Sequence, residues 1–262
     1  MNHTFKSAAA FLFATITMMG CSSSKTVVYD SKWNAPFTYV NEANPDQMDQ
    51  QSRLRYGLIN DDQYMFITLK TRDPNSIKQI LTNGLRLTFS PGNVREDYAL
   101  VFPVVTRDDK RALQKIQLDL PNSLTLNRML EAFNKEALWK DRQGERFINL
   151  VDNQTGIRCQ ITLDENQELT QQFSIPFERL GTTPQQAGVV DVAIKTEGTG
   201  GFGSGISPNI SVGMGSGGFG YGGFGGGGVS IGTGGRNNPN DRTVNLRLQV
   251  RLARDSFRED LR

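Results

Sequence analysis

Polar and apolar residues alternate along several short segments of the chain, and this alternation predicts β-strands. The clearest segment runs from Val244 to Leu252, where every second residue is apolar and the residues between are polar or charged. Successive side chains of a strand point to opposite faces, so each such segment should have one buried and one solvated face. Further strands are predicted over Leu54 to Leu58, Met65 to Leu69, Leu85 to Phe89, Tyr98 to Phe102, Phe147 to Val151, Ile157 to Leu163, Phe173 to Pro176 and Val189 to Thr196.

These short strands with one-sided burial predict an all-β fold, an antiparallel β-sandwich of the immunoglobulin-like or jelly-roll-like kind. Asp61-Asp62 separates the first two strands and predicts a hairpin turn. No repeat with a period of about 20 to 50 residues is present, which argues against a propeller or a solenoid. We therefore expect a single sandwich domain over residues 30–252 and a C-terminal tail over residues 253–262.

Two short helices are predicted as additions to the sheets. Asp73-Pro74 predicts the start of a helix over Asn75 to Leu81, because Asp is favoured as N-cap and Pro at the first helical position. A second helix is predicted over Ser123 to Lys140, since four apolar residues recur there at helical spacing. These four residues are Leu126, Leu130, Phe133 and Ala137. On such a helix Trp139 would lie opposite the apolar face and would point outward or cap the helix end.

The N-terminal residues 1–20 are predicted to be a lipoprotein signal peptide. Lys6 supplies its positive charge, Ala8 to Met19 form a short apolar run, and Met18-Met19-Gly20-Cys21 resembles the motif cut by lipoprotein signal peptidase. The run is shorter than the roughly 20 residues of a membrane-spanning helix. Cys21 would become the lipidated first residue, residues 21–29 a tether, and the membrane contact would be made through the lipid. No acidic cluster follows Cys21, which favours an outer-membrane lipoprotein facing the periplasm.

The composition excludes several classes of function. The one histidine of the chain, His3, lies in the predicted signal peptide, so the mature chain would have no Ser-His or Cys-His pair and no His-ligated zinc. The acidic pairs Asp61-Asp62 and Asp108-Asp109 are predicted on turns and lack the ligand spacing of a calcium loop. Cys159 alternates onto an apolar face and is predicted to be a buried core thiol. We therefore expect no enzyme activity, no metal and no cofactor.

The charges do not favour binding to nucleic acid. The formal net charge is +2, and removal of Lys6 with the signal peptide would lower it to +1. The chain also lacks the run of like charges that marks a basic nucleic-acid-binding tail.

Residues 198–235 form a glycine-rich tract that contains 19 of the 27 glycines and no charged residue. Glycine loses the most conformational entropy on ordering, so the tract is predicted to be a disordered loop between two strands. Gly198 to Gly203 match the dinucleotide-binding pattern G-x-G-x-x-G, but glycines and Pro208 follow instead of a helix, which argues against nucleotide binding. The tract is either a tolerated flexible insertion or, through its aromatic residues, a segment that binds itself, a partner or a glycan.

Three stretches together resemble one known family. They are the opening motif Tyr29 to Trp33, the hairpin Leu54 to Leu69 with Asn60-Asp61, and Ile80 to Leu85 followed by the strand Tyr98 to Pro103. Over roughly the span from Tyr29 to Pro103, the chain resembles the N-terminal half of domains similar to family-nine carbohydrate-binding modules. Such domains occur in many bacterial envelope lipoproteins. The resemblance implies an antiparallel β-sandwich and sugar binding.

Sugar-binding modules stack the apolar face of a pyranose on a flat aromatic ring. Of the two tryptophans, Trp33 precedes the first hairpin and is expected in the core, whereas Trp139 is either a ligand contact or a rim residue that packs on a neighbouring loop. The sequence thus predicts a lipid-anchored, non-catalytic envelope protein that binds a carbohydrate or an envelope polymer. The alternative is a structural or assembly partner of another envelope protein, acting through the glycine-rich loop or a sheet edge.

Overall fold

The computed structural model describes residues 26–34, 43–115, 124–197 and 244–254. Its strands in chain order are β1 (Thr26–Asp30), β2 (Lys32–Trp33), β3 (Gln47–Met48), β4 (Arg55–Asn60), β5 (Tyr64–Thr71), β6 (Leu85–Pro91), β7 (Tyr98–Phe102), β8 (Glu136–Asp141), β9 (Gly144–Asn149), β10 (Arg158–Leu163), β11 (Leu169–Pro176), β12 (Val189–Thr196) and β13 (Asn245–Arg251). Its helices are α1 (Pro74–Asn83), α2 (Arg107–Lys115), α3 (Leu124–Phe133) and α4 (Pro184–Ala187), and a 3-10 turn covers Phe177–Leu180.

The strands form two sheets that make an all-β sandwich, which confirms the predicted fold class. The first sheet has the strand order β1-β13-β12-β6-β7-β8-β9. The second sheet has the order β10-β11-β5-β4-β2, and β3 also pairs with β4. Neighbouring strands are antiparallel except for β1 with β13 and β2 with β4, which are parallel.

Side chains from both sheets meet in one hydrophobic core. In β6, for example, Leu85, Leu87 and Phe89 are fully buried, whereas Arg86 and Thr88 between them are partly exposed. Burying an aliphatic or aromatic side chain of this size contributes about 1.5–3 kcal/mol. The alternation of the sequence therefore decides which face of each strand turns inward.

The hairpin and the first helix follow their predicted signals. Asp61 lies in the turn between β4 and β5, and its Oδ1 accepts hydrogen bonds from the backbone N–H groups of Gln63 (2.7 Å) and Tyr64 (2.6 Å). Asp73 caps α1, since its Oδ2 accepts from the Ser76 N–H at 2.9 Å. Both acidic side chains thus satisfy backbone donors where an element begins.

The prediction of a helix over Ser123 to Lys140 is wrong in its second half. α3 ends at Phe133, and the chain continues as strand β8, which pairs with β7 and β9. The Asn134 side chain stabilises this break, because it donates to the Ile161 carbonyl (3.0 Å) and accepts from the Ile161 N–H (2.7 Å). Trp139 consequently lies on a strand and faces the core, 1% exposed, and does not point outward.

Asp108-Asp109 were predicted on a turn, but they lie in the first turn of α2. The Thr106 hydroxyl accepts from the Asp109 N–H (3.2 Å), while the Asp109 carboxylate accepts from the Thr106 N–H (2.9 Å). This reciprocal arrangement is a capping box, whose signal is the spacing of Thr106 and Asp109. Acidic residues near a helix N-terminus are also favoured by the helix dipole.

The boundaries of the predicted segments shift in two places. β1 occupies Thr26–Asp30, so the C-terminal part of the predicted tether 21–29 belongs to the first sheet. The strand predicted over Phe147 to Val151 begins earlier, as β9. The signal peptide 1–20, Cys21 and the glycine-rich tract 198–235 lie outside the described residues. Within the described ranges, no helix has both the length and the apolar character needed to cross a membrane.

Candidate functional site

An open groove of about 530 Å³ lies at one end of the second sheet. We call it the arginine groove. Its lining includes Met48, Arg53, Arg55, Arg72, Asp73 and Glu168. The groove is located where β4 begins, β5 ends and β11 begins, with β3 along one side.

The pairing of the strands brings the charged side chains of the groove to one face. Arg55 on β4 is opposite Lys70 on β5, and Lys70 is opposite Thr170 on β11. Arg72 directly follows Thr71, and Glu168 directly precedes Leu169, which is paired with Thr71. Arg72 is thus two residues from Lys70, and Glu168 is two residues from Thr170. Because side chains alternate along a strand, these residues share the outward face of the sheet.

Glu168 is the central acceptor of the groove. Its Oε1 accepts hydrogen bonds from Arg55 Nη2 and from Arg72 Nε, the latter at 3.1 Å. The Glu168 side chain is 11% exposed, whereas Arg55 and Arg72 are 42% and 64% exposed. A nearly buried carboxylate therefore holds two guanidinium groups whose outer parts remain in solvent.

The loop before β4 is fixed by hydrogen bonds from several side chains. The Ser52 N–H donates to Asp49 Oδ2 (2.8 Å), and the Thr71 hydroxyl donates to the Arg53 carbonyl (3.1 Å). The Ser76 hydroxyl of α1 donates to the Ser52 carbonyl at 2.5 Å. Arg53 has a φ of +56°, a region that residues other than glycine rarely adopt. The loop thus presents Arg53 in a conformation that its surroundings maintain.

Residues 43–46 form a wall across the outward face of β4. Gly57 permits this close approach, because a Cβ at that position would lie 2.2 Å from the Asn44 carbonyl oxygen. Asp46 anchors the wall by accepting from the Tyr29 hydroxyl (3.0 Å) and from Lys32 Nζ (2.6 Å). Burial raises the pKa of Tyr29 to about 12, still further above neutral pH than the ordinary value of a tyrosine.

A polar face extends from the arginine groove across β11 and β10. Thr170 and Gln172 on β11 are opposite Thr162 and Gln160 on β10. The two β10 residues are exposed, and the two β11 residues are partly exposed. This face offers hydroxyl and amide groups beside the cationic groove.

The structure places the two tryptophans, Trp33 and Trp139, in environments that differ from those predicted from the sequence. Trp139 is buried among core residues, stacks on Tyr98 with ring centroids 6.0 Å apart, and donates from Nε1 to Asp141 (3.1 Å). Its indole therefore offers no open face to a sugar. Trp33 on β2 is partly exposed. Neither tryptophan lines the arginine groove.

Cys159 is buried on β10, as predicted, and burial raises the pKa of its thiol. A buried thiol of this kind is inert, because the nucleophilic thiolate is disfavoured. Among the described residues, no three His, Cys, Asp or Glu side chains are grouped so that they could share a metal ion.

The comparisons with known proteins do not assign the chain to a family. No protein-family model, curated protein or solved structure matches it.

Proposed function

We propose that the protein is a lipid-anchored, non-catalytic module of the cell envelope that binds a carbohydrate or another envelope polymer through the arginine groove. One observation carries the proposal: an open groove of about 530 Å³ continues into a polar sheet face. The volume is within the usual range of ligand sites, about 300–1,000 Å³. The hydroxyl and amide groups of that face complement the hydroxyl groups of a saccharide. The resemblance to family-nine carbohydrate-binding modules favours the same class of ligand.

Attachment to the membrane would place the groove near its ligand. Residues 22–25 separate Cys21 from β1. A fully extended chain spans at most about 3.6 Å per residue, so the sandwich would stay on the order of 20 Å from the lipid. A polymer close to the membrane surface, on the periplasmic side of the outer membrane, is then within reach.

The lipid anchor can be tested with the two cysteines of the chain. We expect the Cys21→Ala protein, expressed in a Gram-negative bacterium fed an alkyne fatty acid, to lose both the label and its membrane association. The Cys159→Ala protein should keep both, since that thiol is buried in the sandwich. Labelling that persists in Cys21→Ala, or that is absent from the unaltered protein, would contradict the anchor.

Polymer binding can be tested with the full-length protein in detergent, incubated with peptidoglycan sacculi, immobilised lipopolysaccharide and cellulose. We expect retention on at least one polymer and elution by soluble fragments of it. Gln160→Ala together with Gln172→Ala should weaken retention several-fold, because each lost hydrogen bond is worth about 0.5–1.5 kcal/mol. Asn245→Ala, an exposed amide on the first sheet, serves as the control. If none of the polymers retains the protein, the proposed function is wrong.

A second candidate function is assembly with another envelope protein. β1 is the edge strand of the first sheet, and its Val27 and Val28 are 39% and 49% exposed. An edge strand has unpaired backbone groups that can accept a strand from a partner. A negative polymer-binding experiment would favour this candidate.

A further inference from the structure

We infer that the arginine groove recognises an oxyanion, a carboxylate or phosphate group carried by a saccharide, and that Glu168 is the internal counter-ion that holds the groove ready for it. The inference rests on the proposed function and specifies the ligand of the same site.

The groove contains more cationic than anionic groups. Arg53, Arg55 and Arg72 line it together with two carboxylates, Glu168 and Asp73. The Asp73 carboxylate caps α1 through the Ser76 N–H, and Glu168 is shared by two arginines. Among the described residues, no side chain is paired with the Arg53 guanidinium. A further negative charge would therefore be attracted to the groove.

The arginines retain donors for a ligand. A guanidinium has five N–H donors arranged in a planar fork that matches carboxylate and phosphate oxygens. Glu168 Oε1 takes one N–H from Arg55 and one from Arg72. These side chains are 42% and 64% exposed, so their guanidinium groups remain accessible from solvent.

The groove is held in place before any ligand binds. Glu168 orients two of the arginines, and its own backbone N–H donates to Asp164 Oδ1 at 2.7 Å. Arg53 has an unusual φ of +56°, and its carbonyl accepts a hydrogen bond from the Thr71 hydroxyl. Backbone conformations of this kind persist where the surroundings fix them and are frequent at ligand clamps. Preorganised donors lower the entropic cost of binding.

The position of the groove favours an anionic saccharide over a free ion. Thr170 is opposite Lys70, and the polar row continues through Thr162 on the next strand. A saccharide whose acidic group lies in the groove could extend over these hydroxyl and amide groups. The acidic group would then provide the charge-dependent part of the affinity, and the sugar hydroxyls the remainder.

The inference can be tested by titrating full-length protein in detergent with trigalacturonate, glucose 6-phosphate and uncharged maltotriose. We expect at least one charged probe to bind more tightly than maltotriose, with an affinity that falls as salt is raised. Arg55→Gln and Arg72→Gln should each weaken this binding about tenfold or more. The two charged probes distinguish a carboxylate ligand from a phosphate ligand.

Two further variants test the direction of the charge effect on affinity and provide a control. Glu168→Gln keeps an Oε1 acceptor that can still orient Arg55 and Arg72 but removes the competing negative charge, so the variant should bind the charged probe several-fold more tightly. Arg158→Gln, on the outward face at the far end of β10, should leave the affinity unchanged. Circular-dichroism melting curves verify that each variant is folded.

The possible outcomes distinguish failure of the oxyanion site from failure of the proposed function. The oxyanion site would be overturned if charged and uncharged probes bound equally, or if neither charged probe bound. It would also be overturned by unchanged affinity in Arg55→Gln and Arg72→Gln, or by weaker binding in Glu168→Gln. If the polymers retain the protein despite any of these results, the proposed function stands and the oxyanion site alone is wrong. If no polymer and no probe binds, both are wrong.

Discussion

Replacing Trp139 with alanine should lower the free energy of unfolding by about 3–5 kcal/mol. Trp139 is 1% exposed and is among the largest fully buried side chains of the core. The substitution removes its stacking on Tyr98 and leaves a cavity between the sheets that rigid strands cannot fill. It also removes the Nε1 donor that the Asp141 carboxylate accepts at 3.1 Å.

Urea unfolding followed by circular dichroism measures this loss. Trp33→Ala is the matched control, because it deletes the same side chain from the partly exposed strand β2 and should cost clearly less. Trp139→Phe should retain most of the stability, since an aromatic ring remains in the core. A loss below about 1 kcal/mol for Trp139→Ala would mean that the indole is not packed in the core.

The part of the fold that follows from residue alternation could be predicted from the sequence. Strands such as β6 and β13 bury every second residue, so their apolar pattern determines the inward face before any pairing is known. The β4–β5 hairpin was likewise predictable, because Asp61 stabilises its turn through local hydrogen bonds. In each case the decisive interaction is local or depends on burial alone.

The segment after Phe133 shows where such reasoning fails. Ala137 is four residues from Phe133, which suits a helix, and two residues from Trp139, which suits a strand. Both periods explain the apolar residues equally well. The strand is formed because β8 pairs with β7 and β9 and because Asn134 binds the backbone at Ile161. These are tertiary interactions that override local propensity.

The arginine groove was not predicted, and the reason is similar. The hairpin register places Arg55 opposite Lys70, but the apolar alternation that predicts the two strands does not mark either residue as a ligand contact. Glu168 is 113 residues from Arg55 along the chain, so no local pattern relates the two. Their contact depends on β11 pairing with β5, which a single sequence does not reveal.

The proposed carbohydrate binding has a different chemical basis from the one that the sequence suggested. The sequence left Trp139 as either a stacking contact or a rim residue, and the burial of that ring excludes the stacking contact. The proposed ligand site instead uses guanidinium, hydroxyl and amide groups at the end of the second sheet. Binding would accordingly depend on ionic strength, which stacking would not.

Replacing Gly84 with alanine should lower the free energy of unfolding by at least about 2 kcal/mol, from backbone strain and overpacking together. Gly84 ends α1 with a φ of +75° and a ψ of 171°, a conformation that is essentially restricted to glycine. A Cβ there would also lie 2.4 Å from the Pro103 carbonyl oxygen. The Gly84 backbone cannot move away freely, because its N–H donates to Ile80 (2.8 Å) and its carbonyl accepts from Glu197 (3.0 Å).

Gly144→Ala separates the two causes of this loss. Gly144 also has a positive φ, +113°, but a Cβ at that position would meet no atom within 4 Å. It should therefore show the cost of the backbone conformation without the clash, and Gly84→Ala should be the more destabilised variant in the same urea titration. Equal losses would show that the segment at Pro103, directly after β7, moves to accommodate the added methyl group. A larger loss at Gly84 would instead establish that the end of α1 is held rigidly against the first sheet, and with it the helix whose N-cap, Asp73, lines the arginine groove.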